Sequence, residues 1–384
     1  MLEQDFPKMI SALSKNIYLI IFLVISLMAG FLITWQWLET STAQSLAILS
    51  LEEIKSPLRA KADLKTVKAL YLTAYSAGNP KKLAEIIDLI NKTELNAVVI
   101  DIKDYSGKVL YNSNLEWVKR FEARENRLGN VREVIQKLHD NKIYVIARLT
   151  VFQDPLLASK KPEWAIKSKN DGLWQDNKGL NWVDPTRVEV WNYNLAIAKE
   201  AIGFGFDEIN FDYVRFPSDG DMSLVVYNNG DEPKYQTMKR FYTFLREHLN
   251  NYPAWISLDM FGYVMERTDD LRIGQRLVDA VDSADFICPM MYPSHYSRNS
   301  FGVEKPAEIP GIIIDNGMKK GMPTFVNKRA KVRPWLQAFD LGAVYSDGIK
   351  IREQIDAVEK YSDAGWLLWN ASNRYTSAGL KIEW

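Results

Sequence analysis

The chain reads as a (β/α)8 TIM barrel preceded by an N-terminal transmembrane helix. Three observations predict this. From about residue 66 onward, short apolar runs alternate with amphipathic helical stretches, the pattern of a parallel sheet covered by helices. The alternation supplies eight strand-like runs, the number that closes such a barrel. Residues 17–38 carry no charge, and a run of that length can cross a hydrocarbon layer as a helix.

Taken in order, the N-terminus comes first. Trp35 and Trp37 sit where an interfacial belt would lie, Lys8 and Lys15 precede the run, and Glu39, Glu52 and Glu53 follow it. The basic side tends to stay cytoplasmic. The expectation is a single-pass anchor in the plasma membrane, with the lipid bilayer around residues 17–38 and an extracytoplasmic C-terminal domain. A cleaved signal peptide ending near Ala43 is the alternative, although its apolar core would exceed the usual length of roughly 7–15 residues. The expected domains are a cytoplasmic 1–16, an anchor at 17–38, a linker or stalk at 39–65, and the barrel at 66–384.

The first strand is expected at 69–73. A helix over 80–90 follows Gly78-Asn79, which can cap it, and places Leu83, Ile86, Ile87 and Ile90 on one face. AVVIDI at 97–102 is the second strand, and 128–139 the next helix. Strands follow at 143–149, 208–216, 254–260, 286–291, 334–339 and 365–369. Helices are expected at 188–201, 235–249, 271–281 and 351–361. A doubly wound sheet would stop near six strands, and no glycine-rich phosphate loop follows the first strand.

Composition narrows the function classes. Of 384 residues, 47% are apolar, enough for one large core. Lys+Arg and Asp+Glu number 48 each, so no charge excess draws the chain to nucleic acid. With 12 Trp and 18 Tyr, faces for stacking on sugars are available. Cys288 is the single cysteine, and His139, His248 and His295 form no obvious zinc triad. No metal and no cofactor is expected.

A barrel builds its active site at the C-terminal strand ends, and polar residues collect there. The candidates are Asp104, Arg148, Asp212, Asp259, Tyr292, His295, Asp340, Trp369 and Asn370, with Trp174 and Trp182 on the long loop after the third strand. Glycosidic hydrolysis commonly needs two carboxyl groups, one to protonate the leaving oxygen and one to attack or activate water. Asp212 and Asp259, on neighbouring strands, are the expected pair; Asp104 and Asp340 are rival second members. Arg148 would bind Asp212, the tyrosine, histidine and asparagine would orient hydroxyls, and the tryptophans would stack. In FDEINFDYVRFP (206–217), strand parity turns Glu208, Asn210 and Asp212 inward, and Asp207, Tyr213 and Arg215 the other way. Glu208 lies deeper, as a structural partner for a barrel-lining cation.

FDEINFDYVRFPSDG, AVVIDIKDYSGKVLY at 97–111, YVIARLTVFQDPLLA at 144–158, FICPMMYPSHY at 286–296, VRPWLQAF at 332–339 and GWLLWNAS at 365–372 carry a resemblance. Together they resemble a family of glycoside-hydrolase-like bacterial TIM-barrel domains of formerly unknown function, distantly similar to amylase-type barrels. The resemblance covers about residues 66–384. It implies a barrel, glycosidase chemistry, a bacterial surface location near wall or exopolysaccharide, and Asp212 as nucleophile. Amylase-type enzymes carry a Glu acid on strand five, where this chain has Asp259. The resulting expectation is a membrane-anchored extracytoplasmic hydrolase of glycosidic bonds in a cell-surface or environmental polysaccharide. The alternative is a non-catalytic barrel that binds or scaffolds cell-wall glycan. A polysaccharide deacetylase is a third reading, which lacks the usual His/Asp cluster. A shared cleft between Asp212 and a second carboxylate separates the first reading from the second.

Overall fold

A computed structural model describes residues 26, 28, 30, 31, 60–63, 66–228, 230 and 232–382. Contacts divide the chain into Met1–Glu53 and Ile54–Trp384. The second unit contains the barrel.

The expected transmembrane helix is corrected. Among the described residues, no helix is long and apolar enough to cross a membrane. Within 17–38 only residues 26, 28, 30 and 31 are described, all helical; the rest of that run lies outside the described residues. The bilayer partner, the plasma-membrane location and the anchored form of the function rested on that helix and fall with it.

Eight parallel strands close on themselves. They are β1 (Val67–Leu72), β2 (Ala97–Lys103), β3 (Tyr144–Thr150), β4 (Glu208–Asp212), β5 (Trp255–Phe261), β6 (Phe286–Met291), β7 (Trp335–Gln337) and β8 (Gly365–Trp369). Each pairs with the next, and β8 pairs with β1 through Val67–Gly365 to Leu70–Leu368. Strands β2, β3 and β4 are buried along their whole length, because the barrel fills one face and helices cover the other. This is why they read as continuous apolar runs.

The closing strand depends on a glycine. Gly365 has φ +91, and a Cβ there would lie 2.0 Å from the Val67 carbonyl oxygen. Gly365→Ala therefore forces a left-handed alanine against a backbone atom at the β8–β1 seam. The expected loss is at least about 1–2 kcal/mol, read as a lower denaturant midpoint; an unchanged midpoint would refute this account of the seam.

The covering helices are α1 (Pro80–Asn91), α2 (Val131–Asp140), α3 (Val188–Phe204), α4 (Lys234–Leu249), α5 (Pro310–Gly321) and α6 (Ile349–Glu359). Asn79 caps α1, its side chain accepting from the amides of Lys81 and Lys82, with Pro80 in the first turn. The helix expected over 271–281 shrinks to one turn, Leu277–Ala280. Leu271 and Arg272 have φ of 54 and 60, which a right-handed helix cannot contain.

The lower barrel interior is sealed. The side chains of Glu208 and Arg333, both 0% exposed, form an ion pair, and the Tyr144 hydroxyl donates to Glu208 at 3.1 Å. Below them the Trp255 indole donates to the Ala62 carbonyl at 2.9 Å, and Lys61 Nζ lies 3.8 Å from the Trp255 ring centroid. Open space therefore remains at the C-terminal strand ends.

Candidate active site

Strand register brings the polar cluster together. Asp101 on β2 pairs with Arg148 on β3, which pairs with Asn210 on β4, which pairs with Ser257 on β5. Asp212 and Asp259 stand one step nearer the mouth on the same inward faces. They line a cavity of about 370 Å³ with Arg148, Tyr292, His295 and Trp369.

Arg148 is the hub. Its Nη1 donates to Asp101 Oδ1 at 2.6 Å, its Nη2 pairs with Asp212 Oδ2, and its Nε lies 3.9 Å from Asp259 Oδ2. The Tyr71 hydroxyl donates to the other Asp101 oxygen at 2.5 Å. Burial works against the guanidinium charge, but Asp212 and Asp101 overcome it and hold the Arg148 pKa well above the usual value. The Arg148 guanidinium also lies 5.1 Å from the Trp369 ring centroid, and Trp369 stacks on Tyr71 with centroids 3.9 Å apart.

The two candidate carboxyls differ in surroundings. Asp212 Oδ1 accepts from the Tyr213 amide at 2.5 Å, while its other oxygen meets Arg148. Asp259 is 1% exposed. Its Oδ1 accepts from Asn210 Nδ2 and from Trp335 Nε1, each at 2.8 Å. Burial, then the negative charge of Asp212, pushes the Asp259 pKa well up. That favours a protonated Asp259 beside an arginine-bound Asp212.

Beyond Asp212 the backbone leaves strand geometry. Tyr213 has φ 53, a conformation uncommon for a non-glycine residue and one that clusters at functional sites. The turn ends β4 four residues earlier than expected. It also breaks strand parity, so Tyr213 and Arg215 line the same cavity as Asp212 instead of facing the helices. The ionisable density of FDEINFDYVRFP and its terminal proline are the signals that mark this turn.

The other expected residues divide. Arg148, Asp212, Asp259, Tyr292, His295 and Trp369 share the cavity. The His295 imidazole, at the rim, is held below its usual pKa by desolvation. Asp104 does not line the cavity; it shapes a turn by accepting from the Ser106 amide at 3.0 Å and hydroxyl at 2.5 Å. Asp340 binds the Tyr345 and Ser346 amides at 2.6 and 3.0 Å, and these backbone donors lower its pKa. Asn370 donates to Ala338 O at 2.7 Å and Arg374 O at 3.0 Å. Asp340 and Asn370 line a second cavity, to which Trp369 and His295 also belong. Trp174 and Trp182 are 2% and 1% exposed. Their indole N–H groups donate to Asp221 O and Asp176 Oδ2 at 2.9 and 3.0 Å, so both are packed and offer no free stacking face. Among the described residues, no group of three or more His, Cys, Asp or Glu side chains could hold a metal ion.

The model of a family described as "Putative glycosyl hydrolase domain" matches residues 69–375. No curated protein matches. Among solved structures, a hypothetical protein from Ruminiclostridium thermocellum ATCC 27405 is 44% identical, with 50% of this chain and 96% of that chain covered and a TM-score of 0.47. The PgaB (BpsB) glycoside hydrolase domain from Bordetella bronchiseptica is 14% identical, with 80% and 94% covered and a TM-score of 0.57. An alpha-galactosidase from Thermus thermophilus is 10% identical, with 85% and 62% covered and a TM-score of 0.50. The Bordetella and Thermus structures are alike in fold only. The family match runs from the first barrel strand to beyond the eighth, and the chain belongs to the family described as "Putative glycosyl hydrolase domain".

Proposed function

We propose that the protein hydrolyses glycosidic bonds, with Asp259 as proton donor and Asp212 as the carboxylate acting at the anomeric carbon. One observation carries this reading. Two carboxyls on adjacent strands face one cavity at the barrel mouth, and their environments differ in the direction the chemistry needs. Asp259 gives its proton to the glycosidic oxygen, the bond from that oxygen to the anomeric carbon breaks, and the carbon bonds either to Asp212 or to a water that Asp212 deprotonates. Arg148 positions Asp212, and Trp369 supplies an aromatic wall for a sugar face.

A second reading has its own support. Arg148 touches Asp101 and Asp212 and lies near Asp259, as it would in a structural ion cluster of a glycan-binding barrel. Incubation with a broad glycan panel, with Asp212→Asn as control, separates the two. Cleavage by wild type that the variant lacks supports hydrolysis. Binding without cleavage across the panel supports the second reading, and cleavage undiminished in the variant sinks the assignment of Asp212.

The Asp259 role predicts a pH profile. An acid must be protonated, so kcat/KM should fall as pH rises through the elevated Asp259 pKa. Asp259→Asn should remove that falling limb and harm sugars with poor leaving groups more than aryl glycosides. A falling limb retained in the variant would assign the acid elsewhere. Stability follows the same sign. The contribution from neutral Asp259 is full below the unfolded value of about 3.9 and is lost as pH rises through its raised folded pKa.

A further inference from the structure

The cavity wall holds a cation that this chemistry does not use. Arg215 is 8% exposed and lines the cavity beside Asp212 and Asp259. Its hydrogen bonds run from Nη1 alone, to Phe216 O at 3.1 Å and Ser218 Oγ at 3.2 Å. Its Nε and Nη2 donate to no described residue, and neither is among the fully enclosed unpaired atoms.

Three rings hold the guanidinium in place, with centroids of Phe261, Trp182 and Tyr213 at 4.8, 5.0 and 5.1 Å. They supply cation–π attraction but no compensating charge. Arg215 enters no ion pair among the described residues. The contrast with its neighbours is sharp: Arg148 pairs with Asp101 and Asp212, and Arg333 with Glu208. Burial lowers the Arg215 pKa, and the opposing influence of Tyr213, Asp212, Asp219 and Asp176 does not reverse this. A buried charge without an ion-pair partner is costly, and this one borders the space a substrate would fill.

We infer that Arg215 receives an acidic group of the substrate, a carboxylate or a sulfate ester, so that the glycan is anionic; this rests on the hydrolase reading above. A planar guanidinium presents parallel N–H donors that match two oxygens of either group. A neutral hydroxyl could accept one hydrogen bond but would leave the charge uncompensated. The neighbouring cation, Arg148, is already committed to protein carboxylates.

The test is calorimetric titration of the protein with three oligosaccharide probes: an oligogalacturonate, a sulfated galactan oligosaccharide and a neutral galactan oligosaccharide. One anionic probe should bind at least about 10-fold tighter than the neutral one, the size of a modest charged hydrogen bond. Which probe wins tells carboxylate from sulfate. Arg215→Met should shrink that advantage on the order of 10- to 100-fold. Arg215→Lys keeps the buried charge but loses the fork; it should retain part of the advantage, and it serves as the test if the methionine variant does not fold. Neutral binding as tight as anionic binding, or an anionic advantage that survives substitution of Arg215, overturns the inference. Cleavage of a neutral glycan that Asp212→Asn abolishes would overturn it while leaving the hydrolase reading standing. Arg215-dependent anion binding without cleavage would keep the inference and sink the hydrolase reading.

Discussion

Asp212→Asn is expected to lower kcat on the order of 10⁴-fold, comparable with removing a carboxylate from other hydrolytic sites that work as a unit. The substitution preserves shape, removes the charge and turns the oxygen that meets Arg148 into an NH2 donor. The amide can still accept from the Tyr213 backbone, so the turn at Tyr213 should survive. Arg148 keeps Asp101 at 2.6 Å, and the barrel should remain folded. Loss of turnover without loss of the melting transition is therefore the expected signature. Purified variant and wild type compared on any cleaved glycan would measure it, and a loss smaller than about 10-fold would remove Asp212 from the chemistry.

The largest expected effect on stability lies deeper. Glu208→Gln strips the compensating charge from Arg333, whose side chain is 0% exposed. Arg333 Nε and Nη1 already have no hydrogen-bond partner, so the site has no spare acceptors to compensate. Breaking a buried pair on one side costs about 3–5 kcal/mol. Equilibrium denaturation should show that loss, with a fall in melting temperature on the order of 10 °C. The double replacement Glu208→Leu with Arg333→Met removes both charges and should recover much of it. A single variant as stable as wild type would mean that water reaches the pair.

The barrel was legible because full burial on both faces writes itself as uninterrupted apolar runs, as in AVVIDI of β2. Parity along β4 also separated Glu208, which pairs with Arg333 deep in the interior, from Asp212 at the mouth. What escaped has physical causes. Helix α5 was hidden by Pro310, Gly311, Gly317 and Gly321, a composition that lowers helix propensity. Two of these glycines lie against methionines: a Cβ on Gly317 would meet only the flexible end of Met291, at 2.4 Å from Cε, whereas one on Gly321 would lie 2.4 Å from Met265 Cε and 3.2 Å from its Cα. Arg215 was assigned the wrong face because one left-handed residue, Tyr213, ends the alternation. Trp174 and Trp182 show that composition cannot tell a stacking platform from a core residue. Most of the charge-free run at 17–38 lies outside the described residues, among which no helix is long and apolar enough to cross a membrane.

The environment of Asp259 gives the pair one more property. Part of what weakens it as an acid is the charge on Asp212. The Asp212 carboxylate is thus a component of the surroundings that set the Asp259 proton affinity. Whatever neutralises Asp212, whether a proton, a covalently attached sugar or an asparagine, makes Asp259 readier to release its proton. A cycle that passes through a sugar ester on Asp212 would therefore reset its own acid: Asp259 would hold a proton tightly at the start and surrender it more readily at the halfway point, when the next step calls for a base.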